Sequence, residues 1–178
     1  QYFECGRIAF TAPGSTHEFS SSPDGLAIIP NTSTSTANSG ASGATGDKCA
    51  LEYKMSYSSS KFPDYYIPQL YAEMIALKTD KAMLVRCKRR RQTVNGVVRI
   101  VHEAYAYRIT RDAVVESAIL DNVLFSMSAP ADVKLVDWIA QHHERYAKLA
   151  ATLKRIAEET KGIPLKIPEQ LINEYQEK

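Results

Sequence analysis

The sequence predicts an α/β protein of the α+β kind, with a central mixed sheet flanked by helices and a long amphipathic helix near the C-terminus. Two observations carry that expectation. Short β-prone segments and one helical segment fill the first 110 residues. From Asp132 onward the apolar period lengthens to that of a helix. Strands, helix, strands, helices is the order of a sheet with helices packed on it.

Residues 6–11 read as a strand, and Pro23-Asp24-Gly25 is a strong turn signal. Leu26–Ile29 reads as a second strand. Residues 31–47 are almost wholly Ser, Thr, Ala, Asn and Gly, the composition of a flexible polar loop. Cys49–Met55 reads as a third strand, antiparallel to the second across that loop. Pro68 opens a helix that runs from Gln69 to about Thr79, with Leu70, Met74 and Leu77 on one stripe. Ala82–Cys87 and Val97–Ile109 are strand-like, joined by residues 89–96 with an Asn95-Gly96 turn pair. Asp112–Met127 reads as a shorter helix. Leu135, Ile139, His142, Tyr146, Leu149, Leu153 and Ile156 then mark one long amphipathic helix ending near Gly162. A single domain over residues 1–178 is expected, with a core at 6–115 and a helical part at 116–178.

Composition excludes several classes. The chain of 178 residues is 44% hydrophobic and 24% charged, so neither disorder nor a collagen-like repeat is expected. No apolar run is long enough for a membrane span. Cys5, Cys49 and Cys87 form no close pair, which argues against a disulfide framework or zinc knuckle and for a reducing, intracellular setting. The first residues lack both the pattern of a signal peptide and an initiator Met, so a processed chain or a fragment is expected. Net charge is only +2. Its distribution is more telling, since Arg86, Lys88, Arg89, Arg90 and Arg91 fall within six positions.

The candidate chemistry lies in Ser22-Pro23-Asp24-Gly25-Leu26 and Leu51-Glu52-Tyr53-Lys54. Glu52 and Lys54 are two apart on a strand, so they share a face. Tyr53 points the other way, but its carbonyl can reach a cation beside them. Asp24 ends the preceding arm, and the polar loop can bulge away to bring the acids together. Two carboxylates, a carbonyl and water suit magnesium, which prefers oxygen ligands; manganese is expected to substitute. Such an ion polarises a phosphoryl oxygen and activates water. Lys54 can place positive charge beside the developing charge, or act as a base; the residues leave both roles open.

These segments, followed by Tyr66-Ile67-Pro68-Gln69-Leu70, resemble the lambda exonuclease-like viral recombinase family of the PD-(D/E)XK nuclease superfamily. Ala106-Tyr107-Arg108-Ile109-Thr110-Arg111-Asp112 looks like that family's last sheet strand, and the likeness covers roughly residues 6–115. It implies a restriction-endonuclease-like core, metal ligation by Asp24, Glu52 and the Tyr53 carbonyl, a catalytic Lys54, and a Gln69 that touches the water, lysine or scissile phosphate. It implies magnesium-dependent degradation of double-stranded DNA from 5′ ends, in the cytoplasm of a bacterial host or the nucleus of a eukaryotic one. A single-strand annealing partner and rings of three belong to the same expectation. The family's upstream acidic helix has no counterpart in this sequence; Glu4 and Glu18 are the nearest spare carboxylates. An endonuclease on DNA or RNA, or a non-catalytic nucleic-acid-binding module, are the competing expectations.

Ser22, Arg86 and Lys88–Arg91 are expected to contact nucleic acid, with affinity that falls as salt rises. Tyr65 and Tyr66 read as core-edge residues and Trp138 as a packing residue. Gly40–Lys48 has the wrong spacing for a phosphate-binding loop. His142 and His143 face different directions and make a poor metal pair. The apolar seam of residues 132–161 offers a homo-oligomer contact.

Overall fold

The computed structural model describes residues 1–11, 15–30, 46–56, 61–94 and 96–166. Its strands are β1 (Tyr2–Glu4), β2 (Ile8–Thr11), β3 (Glu18–Ser21), β4 (Gly25–Pro30), β5 (Gly46–Ser56), β6 (Lys81–Val94), β7 (Val97–Thr110) and β8 (Ile163–Leu165). Its helices are α1 (Ile67–Leu77), α2 (Ala113–Met127), α3 (Leu135–Gln141) and α4 (His143–Glu159). Six strands form one sheet in the order β1-β4-β5-β6-β7-β8, and β2 and β3 form a separate hairpin. All neighbours in the large sheet are antiparallel except β5 and β6. A parallel pair needs a crossover, and α1 supplies it. The chain is thus mixed α/β, with a mixed central sheet flanked by helices. Among the described residues, no helix is long and apolar enough to cross a membrane.

The core forms where α1 lies against alternate residues of the sheet. Ala50, Ala82, Leu84, Tyr107 and Ile109 meet Ile67, Leu70, Tyr71 and Met74, and Val115, Ile119 and Leu153 close the cluster. Helix α1 starts with Pro68 in its first turn and ends at Lys78, whose left-handed backbone lets the Thr79 N–H reach the Met74 carbonyl. The Arg111-Asp112 step launches α2. Asp112 accepts the Val114 and Val115 N–H groups as a cap, and Arg111 pairs with Glu116.

Strands β1, β3 and β8 lie outside the expected strands, β3 within residues 12–22 that read as turn-rich, and three expected elements take a different form. The expected single helix over residues 135–156 is two helices, broken at His142, whose backbone (φ −115°, ψ 32°) leaves the helical region. Its ring Nδ1 lies 2.8 Å from the Trp138 carbonyl, a side-chain contact that competes with the helical ladder. The seam residues Leu149, Leu153 and Ile156 pack on the core cluster. Strands β6 and β7 extend through the segment expected to connect them. Val94 pairs with Val97, leaving only positions 95 and 96 for the turn, where Gly96 adopts φ +78°. Finally, β5 begins at Gly46, inside the expected polar loop; the remainder of that loop, residues 31–45, lies outside the described residues.

Candidate active site

Asp24 is positioned by the end of a ladder. Strands β4 and β5 pair as far as Gly25 opposite Leu51. The next outward-facing N–H on β5 belongs to Tyr53, and continued pairing would set it opposite Pro23. Instead the Asp24 carboxylate turns in and accepts the Tyr53 N–H at 2.7 Å. A side chain therefore replaces a strand, and it fixes an exposed carboxylate against the peptide that joins Glu52 to Tyr53. The Tyr2 hydroxyl donates to the Asp24 carbonyl at 3.1 Å. A Cβ at Gly25 would run into the Tyr2 ring, so only glycine lets Tyr2 lie there.

Glu52 is 2% exposed and faces α1. One of its oxygens, Oε1, takes the Lys54 ammonium and also the Gln69 Nε2 at 2.7 Å. Gln69 Nε2 donates its second proton to Glu73 Oε1 at 2.9 Å. The amide is thus shared between two carboxyl groups, one on the sheet and one a helical turn further along α1. Glu73 is fully buried. Glu52 Oε2 and Glu73 Oε2 are both buried, and the Glu73 carboxyl is hydrogen-bonded to Glu52 as well as to Gln69.

Two groups show the electrostatics. Burial, then the charge of Glu52, pushes the Glu73 carboxyl up to about 8, so it holds its proton at neutral pH. Burial alone would lower the Lys54 ammonium, but the hydrogen bond and charge of Glu52, with Asp24 behind them, carry it above its ordinary value. Lys54 therefore stands as a cation, with the Tyr66 ring centroid 5.7 Å from its Nζ.

A divalent cation fits this donor set in one specific respect. Glu52 Oε2 is buried, and besides Lys54 and Gln69 the donor that faces Glu52 among the described residues is the protonated Glu73 carboxyl; a cation is the other group that can meet a buried carboxylate oxygen. Among the described residues no three His, Cys, Asp or Glu side chains cluster, so backbone carbonyl and water oxygen would complete the shell. Asp24 and Tyr53 also line an open hollow with Tyr2, Glu4, Cys5, Ser22 and Pro23.

The sequence-derived residues divide as follows. Asp24, Glu52, Tyr53, Lys54 and Gln69 come together, and the exposed Ser22 borders them. Glu4 lines the hollow, whereas Glu18 lies on the separate β2–β3 hairpin. Arg86 is 6% exposed and donates to the Lys61 carbonyl, so it faces the interior. Lys88 is half-buried opposite Glu103; Arg89 and Arg91 are exposed, and Arg90 lies on β6 between them. Glu73 was not anticipated, although its place four residues after Gln69 puts both on one helix face. No family model, curated protein or solved structure matches the chain.

Proposed function

We propose that the chain is a magnesium-dependent DNA nuclease of the PD-(D/E)XK type, acting as a 5′-to-3′ double-strand exonuclease of the viral recombination kind. The observation that carries this reading is the meeting of three groups at the Tyr53 peptide. Asp24 binds its N–H, Glu52 precedes it as a buried carboxylate, and Lys54 follows it as an ammonium. Asp24, Glu52 and the Tyr53 carbonyl hold the ion. When bound, it polarises a phosphoryl oxygen and activates water. Lys54 sets positive charge beside the phosphorus as negative charge builds on its oxygens. Gln69 bridges Glu52 Oε1 and Glu73 Oε1 and so fixes the orientation of the Glu52 carboxylate. Water oxygen joins phosphorus, the ester oxygen departs with a proton, and one phosphodiester bond is lost. The 5′ polarity, the annealing partner and a ring of three rest on the ordered likeness of the motifs.

The test compares wild type with Lys54→Ala on linear duplex DNA labelled at one 5′ end and on closed circular duplex DNA. The expected outcome is release of nucleotides from 5′ ends of linear DNA by wild type alone, with circular DNA intact. Cleaved circles would replace the exonuclease with an endonuclease. Equal cleavage by the variant would remove Lys54 from the chemistry and end this reading. Absence of cleavage with either magnesium or manganese would favour a binding module. Among the described residues two carboxylates meet at the Tyr53 peptide, and that is the observation behind the second reading.

A further inference from the structure

Strands β6 and β7 outrun the sheet that carries them. Strand β5 accompanies β6 only as far as Ser56 opposite Lys88, and β8 pairs with β7 only at residues 104–106. Residues 89–94 and 97–102 therefore pair with each other and with no other described strand. At about 3.3 Å per residue, six residues make a ribbon roughly 20 Å long. A free two-stranded ribbon is marginal by itself, and its open edges invite a partner.

The chemistry of the ribbon selects that partner. Residues 89–102 contain Arg89, Arg90, Arg91, Arg99 and His102, and no Asp or Glu. The described side chains Arg89 and Arg91 are exposed, two apart, and so share a face. That face belongs to the same set of alternate residues as Tyr53, because Tyr53 is opposite Val85 on the parallel strand. This is the face opposite Glu52 and Lys54; Tyr53 lines the hollow beside Asp24 on it, so the two arginines continue the Asp24 side of the sheet, past the end of β5 that carries the candidate site. A run of cations with no carboxylate suits an unbroken row of phosphates. A two-stranded ribbon also matches the width of the major groove of B-form DNA, whereas the A-form major groove is too deep and narrow for side chains to read.

We infer that the β6–β7 ribbon is an arm that enters the major groove of a DNA duplex and holds it beside the candidate site. The inference rests on the nuclease reading for the identity of the ligand. The arm spans about six base pairs at 3.4 Å per step. It grips duplex ahead of the reacting end, and its contribution is to affinity for duplex and not to the chemical step.

The test measures binding of the full chain to a fluorescent DNA duplex of about 20 base pairs, in chelator so that no cleavage is needed, across a salt series. With Arg89→Gln and Arg91→Gln together, the slope of log K against log salt is expected to become shallower by about 1.8, since each phosphate contact contributes about 0.9. On duplex RNA of the same sequence the slope is expected to stay unchanged. Arg89→Lys with Arg91→Lys should restore the DNA slope, which separates loss of charge from loss of fold. An unchanged DNA slope, an equal change on RNA, or a wild type that does not bind DNA overturns the arm. Cleavage of the same duplex with magnesium is scored separately. A cleaving enzyme with an unchanged slope loses the arm and keeps the nuclease; a shifted slope without cleavage keeps the arm and loses the nuclease.

Discussion

Strand β6 is one strand with two halves, and they treat the same residue type in opposite ways. In the first half, Ala82, Leu84 and Arg86 alternate into the interior beside α1. In the second half, Arg89 and Arg91 stand in solvent on a ribbon that has left the sheet. Arg86 and Arg89 are three residues apart, yet the first is part of the scaffold under the candidate site and the second is free to meet a polyanion. The difference lies in face and neighbours: residues three apart point to opposite faces of a strand, α1 covers the face of Arg86, and among the described residues only β7 accompanies the stretch that carries Arg89. Identity of a side chain thus says less about its role than the strand and helix beside it.

The sharpest way to break this comparison is at Glu52, in the covered half of the sheet. Glu52→Gln removes the charge while keeping the shape. Cleavage is expected to fall at least about 100-fold, because the carboxylate proposed to hold the ion loses its charge. Stability gains at Glu73, which loses the neighbouring charge that disfavours its ionised form, and loses at Lys54, whose ammonium that charge holds up. A melting curve and a single-turnover assay on one preparation decide it. A variant that keeps wild-type cleavage would place the chemistry elsewhere.

The next effect concerns Glu73. Its folded-state carboxyl sits at about 8, above the ordinary 4.5 of the unfolded chain. Between those values the native state holds a proton that the unfolded state has released. Stability conferred at acid pH is therefore lost as pH rises through that window, at most about 1.4 kcal/mol per pH unit for one proton. Chemical denaturation from pH 5 to pH 9 should show the decline, and Glu73→Gln should flatten it. An equally steep decline in that variant would assign the proton to another group.

The two arginines give a smaller, paired effect. Arg86→Ala strips a buried donor from the Lys61 carbonyl and should destabilise by about 1–3 kcal/mol. Arg89→Ala should change stability by no more than about 0.5 kcal/mol, because its side chain is exposed. Urea titrations of both variants compare them directly. Equal losses would erase the distinction between the two halves.

How much of this was legible follows from the same physics. The pairing of Glu52 with Lys54 on one face is set by the two-residue strand period, and Asp24 and Gln69 sit in segments with strong turn and helix signals. The antiparallel β4–β5 pair and the helix over residues 113–127 could be read for similar reasons. Glu73 was not legible, because a glutamate in an amphipathic helix ordinarily reads as its solvated face. Only the tertiary fact that α1 turns the Gln69–Glu73 face onto Glu52 of the sheet makes it buried. The ribbon escaped because Arg89-Arg90-Arg91-Gln92 has no apolar alternation; its strand form comes from pairing with the Val-rich stretch of β7. The break at His142 escaped because its local contact with Trp138 interrupts a pattern that is otherwise periodic.

The smallest prediction guards the comparison against a trivial explanation, that any loss of stability mimics damage to the site. Asp112 lies far along the chain from the Tyr53 peptide and caps α2 through the Val114 and Val115 N–H groups. Its own N–H reaches the Tyr71 hydroxyl on α1 at 3.2 Å, a backbone contact that an alanine can keep. Asp112→Ala should therefore cost about 1 kcal/mol, the usual loss for a helix cap. At a temperature well below its melting point, cleavage and the salt slope of DNA binding should match wild type. If this variant loses cleavage as Glu52→Gln does while still folded, the candidate site is sensitive to the scaffold as a whole. The assignment of chemistry to the Tyr53 peptide would then lose its support from mutation.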